Sequence, residues 1–149
     1  MATRSNIAYK TPEGKIRSVY CHWDGYPEHN GEMLRRHYSD YDKIVQLVSL
    51  GQISSLAPNI NPQGDHSFDT PQEGVTVFYG RDRGERRVEF VEYDDIPSWI
   101  DDMEEYAYLW DGNDWLVNDH GERDANGFPI FDYVEVKQRA DVMKSMGWD

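Results

Sequence analysis

The segment from Tyr20 to Gly31 reads Tyr-Cys-His-Trp-Asp-Gly-Tyr-Pro-Glu-His-Asn-Gly. It holds the only cysteine of the 149-residue chain, two of its five histidines, two carboxylates and three aromatic rings. A plain strand-to-helix connection needs only turn formers such as Gly, Pro, Asn or Asp, so this density points to a rigid surface or a pocket. A zinc site would draw on Cys21, His22, His29 and His37. However, adjacent Cys21 and His22 point to opposite faces of a strand, and neither C-x-x-C nor H-x-x-x-H spacing occurs, so no metal and no cofactor is expected. A cysteine nucleophile needs an exposed thiol with a lowered pKa; Cys21, in a strand between Tyr20 and His22, reads instead as a small core residue. His22, Asp24, Glu28 and His29 offer acid and base neighbours for a small hydrolase or nucleotide-binding pocket, helped by Arg81 and Arg83. In the structural reading of the same loop, Trp23 and Tyr26 cover a core edge, Asp24-Gly25 turns the chain, Pro27 stiffens the exit, and Glu28 or Asn30 serves the helix start. Exposed rigid aromatics beside polar groups would also suit a binding surface.

A second group of residues could act through charge alone. The chain carries a formal charge of −13 and is 13% aromatic, too rich in rings for a disordered acidic tail. The excess is uneven: residues 1–93 hold 13 Asp+Glu against 11 Lys+Arg, and residues 94–149 hold 15 against 4. Between 94 and 124, eleven carboxylates face one cation, Arg123, interleaved with Trp99, Tyr106, Tyr108, Trp110 and Trp115. Such a face repels nucleic acid and attracts basic protein surfaces. Asp94, Asp95, Asp101, Asp102, Glu104, Glu105, Asp111, Asp114 and Asp119 are the candidate electrostatic contact, with Trp110 and Trp115 as candidate anchors. Carboxylates on a helix and the turns beside it can be spaced like the phosphates of a nucleic-acid strand, roughly 3.4 Å apart. Mimicry of DNA or RNA is one form of this reading, and a merely solvated face is its plain alternative. Arg81-Asp82-Arg83 and Arg86-Arg87 form the only basic cluster and read as charge-paired hairpin decoration.

The elements that must position these groups follow from periodicity and turn chemistry. Ile7 and Tyr9, the turn Thr11–Gly14, and Ile16 with Val19 and Cys21 predict a first hairpin. A helix starting at Asn30 or Gly31 puts Met33, Leu34 and Tyr38 on one face. Ser39 or Asp40 caps a second helix carrying Tyr41, Ile44, Val45, Leu47 and Val48, closed by Gly51. Gln52 to Gln72 reads as a long surface loop with at most a short turn near Ile53 to Leu56. Val75–Tyr79 and Val88–Val91 around Gly80–Gly84 predict another hairpin. Asp94-Asp95 with Pro97 starts a helix whose stripe is Ile96, Trp99, Ile100, Met103 and Ala107. Asp111–Asp114 is the turn of a hairpin between Tyr108–Trp110 and Trp115–Val117. A last strand is predicted over 129–133 and a C-terminal helix from Glu135 to Met146. The sum is one α+β domain over residues 1–149, a mostly antiparallel sheet built from hairpins and covered on one side by three or four helices. With one cysteine, no apolar leader and no run of about 18 apolar residues, a cytoplasmic, non-membrane protein is expected.

Ala2-Thr3-Arg4-Ser5 and Val19-Tyr20-Cys21-His22-Trp23-Asp24-Gly25-Tyr26-Pro27-Glu28, leading to Gly31, Leu34 and His37-Tyr38, carry a resemblance. So do Gly51–Leu56 and the stretch from Thr70-Pro71-Gln72 to Tyr79–Glu85. The first two thirds of the chain resemble a family of small proteins encoded largely by bacteriophages, for which no activity is established. The resemblance implies a setting, the cytoplasm of an infected bacterium. Together with the charge it leads to the expectation of a non-enzymatic protein that inhibits or modulates a host nucleic-acid-handling or defence protein. Its partner would be a host protein with a basic surface, with no direct nucleic-acid or membrane binding. A hydrolase or nucleotide-binding protein using residues 20–31 is the alternative, and a homo-oligomer joined through exposed aromatics is a third reading. A concave site with converging polar groups would favour the enzyme; a convex acidic ridge would favour the interaction protein.

Overall fold

Thr11 starts the first reversal of the chain: its hydroxyl accepts the Lys15 amide at 3.0 Å, and Gly14 supplies the positive φ of 85° that closes the turn. In this computed structural model, which describes residues 2–134, the turn joins β1 (Ser5–Lys10) to β2 (Ile16–Cys21) in antiparallel register, Ser5 facing Cys21 and Lys10 facing Ile16. A π-helical turn at Pro27–Gly31 runs directly into α1 (Glu32–His37). The Asp40 carboxylate caps α2 (Tyr41–Ser49) by accepting the Asp42 amide, and Gly51 ends it at φ 88°. Alanine at Gly51 would drive a Cβ to 2.4 Å from the Val88 carbonyl.

The chain then returns parallel to β2 as β3 (Ile53–Ser55), a strand where the sequence suggested only a short turn. β4 (Val77–Phe78) pairs antiparallel with β3. At Tyr79 the backbone turns helical instead of continuing the strand, giving α3 (Tyr79–Arg83), which stops at Gly84 with φ 76°. β5 (Val91–Tyr93) pairs with β2 rather than β4, so the hairpin expected around Gly80–Gly84 does not form. The Asp95 side chain caps α4 (Ile96–Asp101) by accepting the Ser98 amide at 2.9 Å. β6 (Tyr106–Trp110) lies parallel to β1. The Asp111–Asp114 turn brings β7 (Trp115–Asp119) back antiparallel to it, and β8 (Asp132–Tyr133) adds the last edge. The expected helix at 135–146 lies outside the described residues.

The sheet therefore runs β4-β3-β2-β1-β6-β7-β8, with β5 on the remaining part of β2. Five of its seven strand pairings are antiparallel, so the α+β class holds. Helices cover both faces rather than one. The connection from β2 through α1 and α2 to β3 packs Leu34, Tyr38, Ile44, Leu47 and Val48 against Ile7, Tyr9, Val19, Cys21, Tyr108 and Val117. The connection from β5 through α4 to β6 crosses the opposite face, where Trp99 and Ile100 meet Ala8, Ile16, Ala107 and Leu109. Odd and even positions of β1 thus serve two cores. The two ends of the sheet differ as well. Ser5, Cys21, Tyr106 and Asp119 align at one end, called here the head; Lys10, Ile16, Trp110 and Trp115 mark the foot.

Candidate functional site

The residue 20–31 loop sits at the head of the sheet and is fixed from inside. The Asn30 side chain is fully buried, and its amide nitrogen lies 3.3 Å from Ser5 Oγ, 3.4 Å from Cys21 Sγ and 3.2 Å from the Trp23 carbonyl it donates to. Its own backbone N–H reaches the carbonyls of Asp24 and Tyr26. Asn30 thus braces the loop from within; it does not cap the following helix. Gly25 donates to the Thr3 carbonyl at 2.8 Å, and its carbonyl accepts the buried Tyr108 hydroxyl at 2.7 Å. A Cβ at Gly25 would sit 2.9 Å from Arg4 C, Ser5 Cβ and Thr3 O, so only glycine fits. Asp24 turns the chain at φ 57°. On this frame Trp23 and Tyr26 are held outward, 45% and 36% exposed.

The candidate acid and base groups of the loop are kept apart. Tyr20 Oη lies 2.6 Å from His22 Nδ1, and the His22 ring packs edge-on against Trp23. His29 Nδ1 faces the Asn30 side-chain Oδ1 at 3.1 Å, Asp24 accepts the Tyr26 hydroxyl at 3.3 Å, and Glu28 is exposed. No hydrogen bond or ion pair links His22, Asp24, Glu28 and His29 to one another. Arg81 and Arg83, proposed as their helpers, are engaged with Asp82 and with Glu85 and the Phe68 ring. Cys21 is buried, and burial pushes its thiol up to about 12, leaving no thiolate to act as nucleophile. Among the described residues no group of three or more His, Cys, Asp or Glu side chains is placed to hold a metal ion.

The acidic residues divide between the two ends of the sheet. Asp94, Asp95, Asp111 and Asp114 lie at the foot. Asp94 pairs with Lys15 at 2.5 Å, and the Ser98 N–H holds the Asp95 carboxyl below its usual value. Asp111 Oδ1 accepts the amides of Asn113 and Asp114, both at 2.8 Å, and Asp114 accepts the Asn113 side chain. These four serve a salt bridge, a cap and a turn. Trp110 and Trp115 are also at the foot, but only 6% and 3% exposed; Trp115 donates its indole N–H to the Tyr38 carbonyl at 2.8 Å. They belong to the core and cannot anchor a partner. From Glu105 to Asp111 the strand spans about 20 Å at roughly 3.3 Å per residue, too far for one continuous row.

At the head the charge is concentrated. Asp101 ends α4, while the Asp102 carboxylate turns back to accept the Tyr93 hydroxyl at 3.0 Å; Glu104 and Glu105 follow as the backbone docks on β1, the Glu104 amide meeting Asn6 Oδ1 at 2.6 Å and the Glu105 amide meeting the Arg4 carbonyl at 3.2 Å. The 119–124 turn closes beside them, with the His120 amide on the Glu105 carbonyl at 2.8 Å and Arg123 on Asp101 at 2.7 Å. Asp119, Glu122 and Asp124 thereby join the same end. The residue 20–31 loop contributes too: the Tyr106 hydroxyl is shifted upward, first by burial and then by Asp119, Glu28 and Glu105. Among the described residues, Arg4, 3.8 Å from Glu104, and Arg123, on Asp101, face these carboxylates, and the His120 ring pairs with Asp119. The basic residues Arg81, Arg83, Arg86 and Arg87 neutralise none of them. The aromatic loop and the acidic stretch, read separately in the sequence, thus meet at one end of the sheet.

One cluster escaped sequence reasoning. Arg81 grips both oxygens of Asp82, at 2.9 and 3.1 Å, and donates to the carbonyls of Ile60 and Thr76. The same carboxylate accepts the Phe78 amide at 2.8 Å and lies 3.2 Å from His66 Nε2. Burial opposes the charge on Asp82, yet these donors together hold its pKa below the ordinary 3.8. His66 and Asp82 side chains are 1% and 5% exposed. The alternation of charge in Arg81-Asp82-Arg83 was the only signal, and the fifteen positions between His66 and Asp82 hid the partner.

No family model matches the chain. No curated protein and no solved structure matches it either. Among the described residues, no helix is long and apolar enough to cross a membrane.

Proposed function

We propose that the protein is a non-catalytic interaction module that docks the head of its sheet on a basic surface of another protein. The observation that supports this is the meeting, at one end, of Asp101, Glu104, Glu105, Asp119 and Glu122 with the outward-held Trp23 and Tyr26 and the carboxylates Asp24 and Glu28. Lysine and arginine are bound by such a combination in two ways, ionically by the carboxylates and over the face of an aromatic ring. Basic surfaces of this kind are those on which nucleic acids lie, so the partner we propose is a nucleic-acid-handling or defence protein, with the module competing for its phosphate-binding groove. In the setting implied by the phage-family resemblance, that partner belongs to the bacterial host and the module is its inhibitor or modulator. The alternative, a hydrolase or nucleotide-binding pocket of His22, Asp24, Glu28 and His29, draws no support from contacts among those four groups.

The test is binding to a protein captured from bacterial lysate, measured with purified components across a salt series and with duplex DNA as competitor. Binding that weakens with salt, is displaced by DNA and is lost in the Glu28→Lys/Glu104→Lys/Glu122→Lys variant agrees with the proposal. Binding indifferent to salt, to DNA and to those substitutions contradicts it.

A further inference from the structure

The long segment after β3 is fastened to α3 by a histidine whose protonation state is dictated by its neighbours. His66 Nδ1 lies 2.9 Å from the Gln72 backbone N–H, a group that can only donate, so Nδ1 carries a lone pair. Nε2 lies 3.2 Å from the Asp82 carboxylate, an acceptor, so Nε2 carries the proton. The ring is therefore neutral in one defined tautomer. It closes a bridge from Gln72 through His66 and Asp82 to Arg81, and from Arg81 to the Ile60 carbonyl. Both ends of the 60–72 segment are thereby tied to α3. A further hydrogen bond, from the Phe68 N–H to the Asp82 carbonyl at 3.1 Å, fastens its middle. The one ring lone pair is taken by the Gln72 N–H and is not free for general-base catalysis, which makes the ring a fastening rather than an acid–base site.

We infer that the His66–Asp82–Arg81 bridge is a proton-sensitive latch that holds segment 60–72 closed while the imidazole is neutral and releases it when the ring is protonated. A second ring proton would point Nδ1–H at the Gln72 N–H, donor against donor, with the ring 1% exposed. The charged groups that face the ring are Asp82 and Arg81, both of α3. Asp82 favours the cation, but its two oxygens are already occupied by Arg81 and the Phe78 amide. Arg81 opposes the cation, its guanidinium nitrogen 3.5 Å from Nε2. Asp65, Asp69 and Glu73 of the segment are exposed to solvent, and Arg83 lies over the Phe68 ring. The gain at Asp82 is thus already largely satisfied, while the loss at Gln72 is complete.

The test is amide hydrogen exchange of the wild-type chain at about pH 7.5 and 5.5, expressed as protection factors so that the intrinsic pH dependence of exchange is removed. Protection at Phe68 and Gln72 should fall about tenfold or more at the lower pH while the amides of β1 and β6 keep theirs. In His66→Gln, the side-chain oxygen can accept from Gln72 and the nitrogen can donate to Asp82 without titrating, so protection should be retained at both pH values. Nitrogen-15 spectra of the wild-type ring supply a second reading that needs no variant: the Nε2–H tautomer at the higher pH, converting to imidazolium together with the loss of protection. Unchanged protection in the wild type, the same fall in His66→Gln, or an Nδ1–H tautomer would overturn the latch.

Discussion

Asn30 and Gly25 show how single residues convert a dense run of functional-looking side chains into a rigid support. Asn30 is spent inward on Ser5, Cys21 and Trp23, and Gly25 leaves room for the Thr3–Ser5 backbone. Gly25→Ala should destabilise the fold by about 3 kcal/mol through overpacking against backbone that cannot yield, read from the urea midpoint. Asp82 offers a pH-dependent counterpart. Its pKa is lower in the fold than the ordinary 3.8, so the unfolded chain takes up a proton first and the stabilisation is lost as pH falls through the depressed native value. The stability difference between wild type and Asp82→Asn, about 3 kcal/mol for breaking a buried pair, should be full at neutral pH and shrink below the ordinary carboxylate value. A difference that stayed constant into strong acid would contradict the network.

At the scale of elements, the parts legible in the sequence are those closed by local chemistry. Asp40 and Gly51 bound α2, and the turns at Thr11–Gly14 and Asp111–Asp114 set the registers of two hairpins. What stayed hidden is pairing between distant segments: Val91–Tyr93 has the composition of a strand, but nothing in its neighbourhood says that its partner is β2. The stripe Ile96, Trp99, Ile100, Met103 and Ala107 read as one helix because all five residues face the same second core, although Ala107 reaches it from β6. The Trp99 indole N–H bonds the Ser18 hydroxyl at 2.8 Å and its ring stacks on Phe131. Trp99→Ala should cost about 4 kcal/mol in chemical denaturation. Trp99→Phe, which keeps the stack and loses the bond, should cost about 1 to 2. Equal losses would mean that α4 is held by the hydrogen bond alone.

For the whole molecule, the uneven charge of the sequence was visible in one dimension, while its division between two ends was not. Five residues of strand separate the foot carboxylates, which serve caps and turns, from those at the head, which lie at the same end as an outward-facing aromatic loop. Trp110 and Trp115 looked like anchors because they lie within the acidic run; alternation along β6 and β7 turns them into the core, and the exposed rings come instead from residues 20–31. The measurement that bears most directly on the proposed docking compares two variants of equal charge for affinity to the captured partner at low salt. One is Glu28→Lys/Glu104→Lys/Glu122→Lys at the head; the other is Glu13→Lys/Glu73→Lys/Glu89→Lys elsewhere. The head variant should lose binding by about a hundredfold or more while the other changes it by only a few fold; equal losses from both would show that net charge alone, and not this end of the sheet, draws the partner.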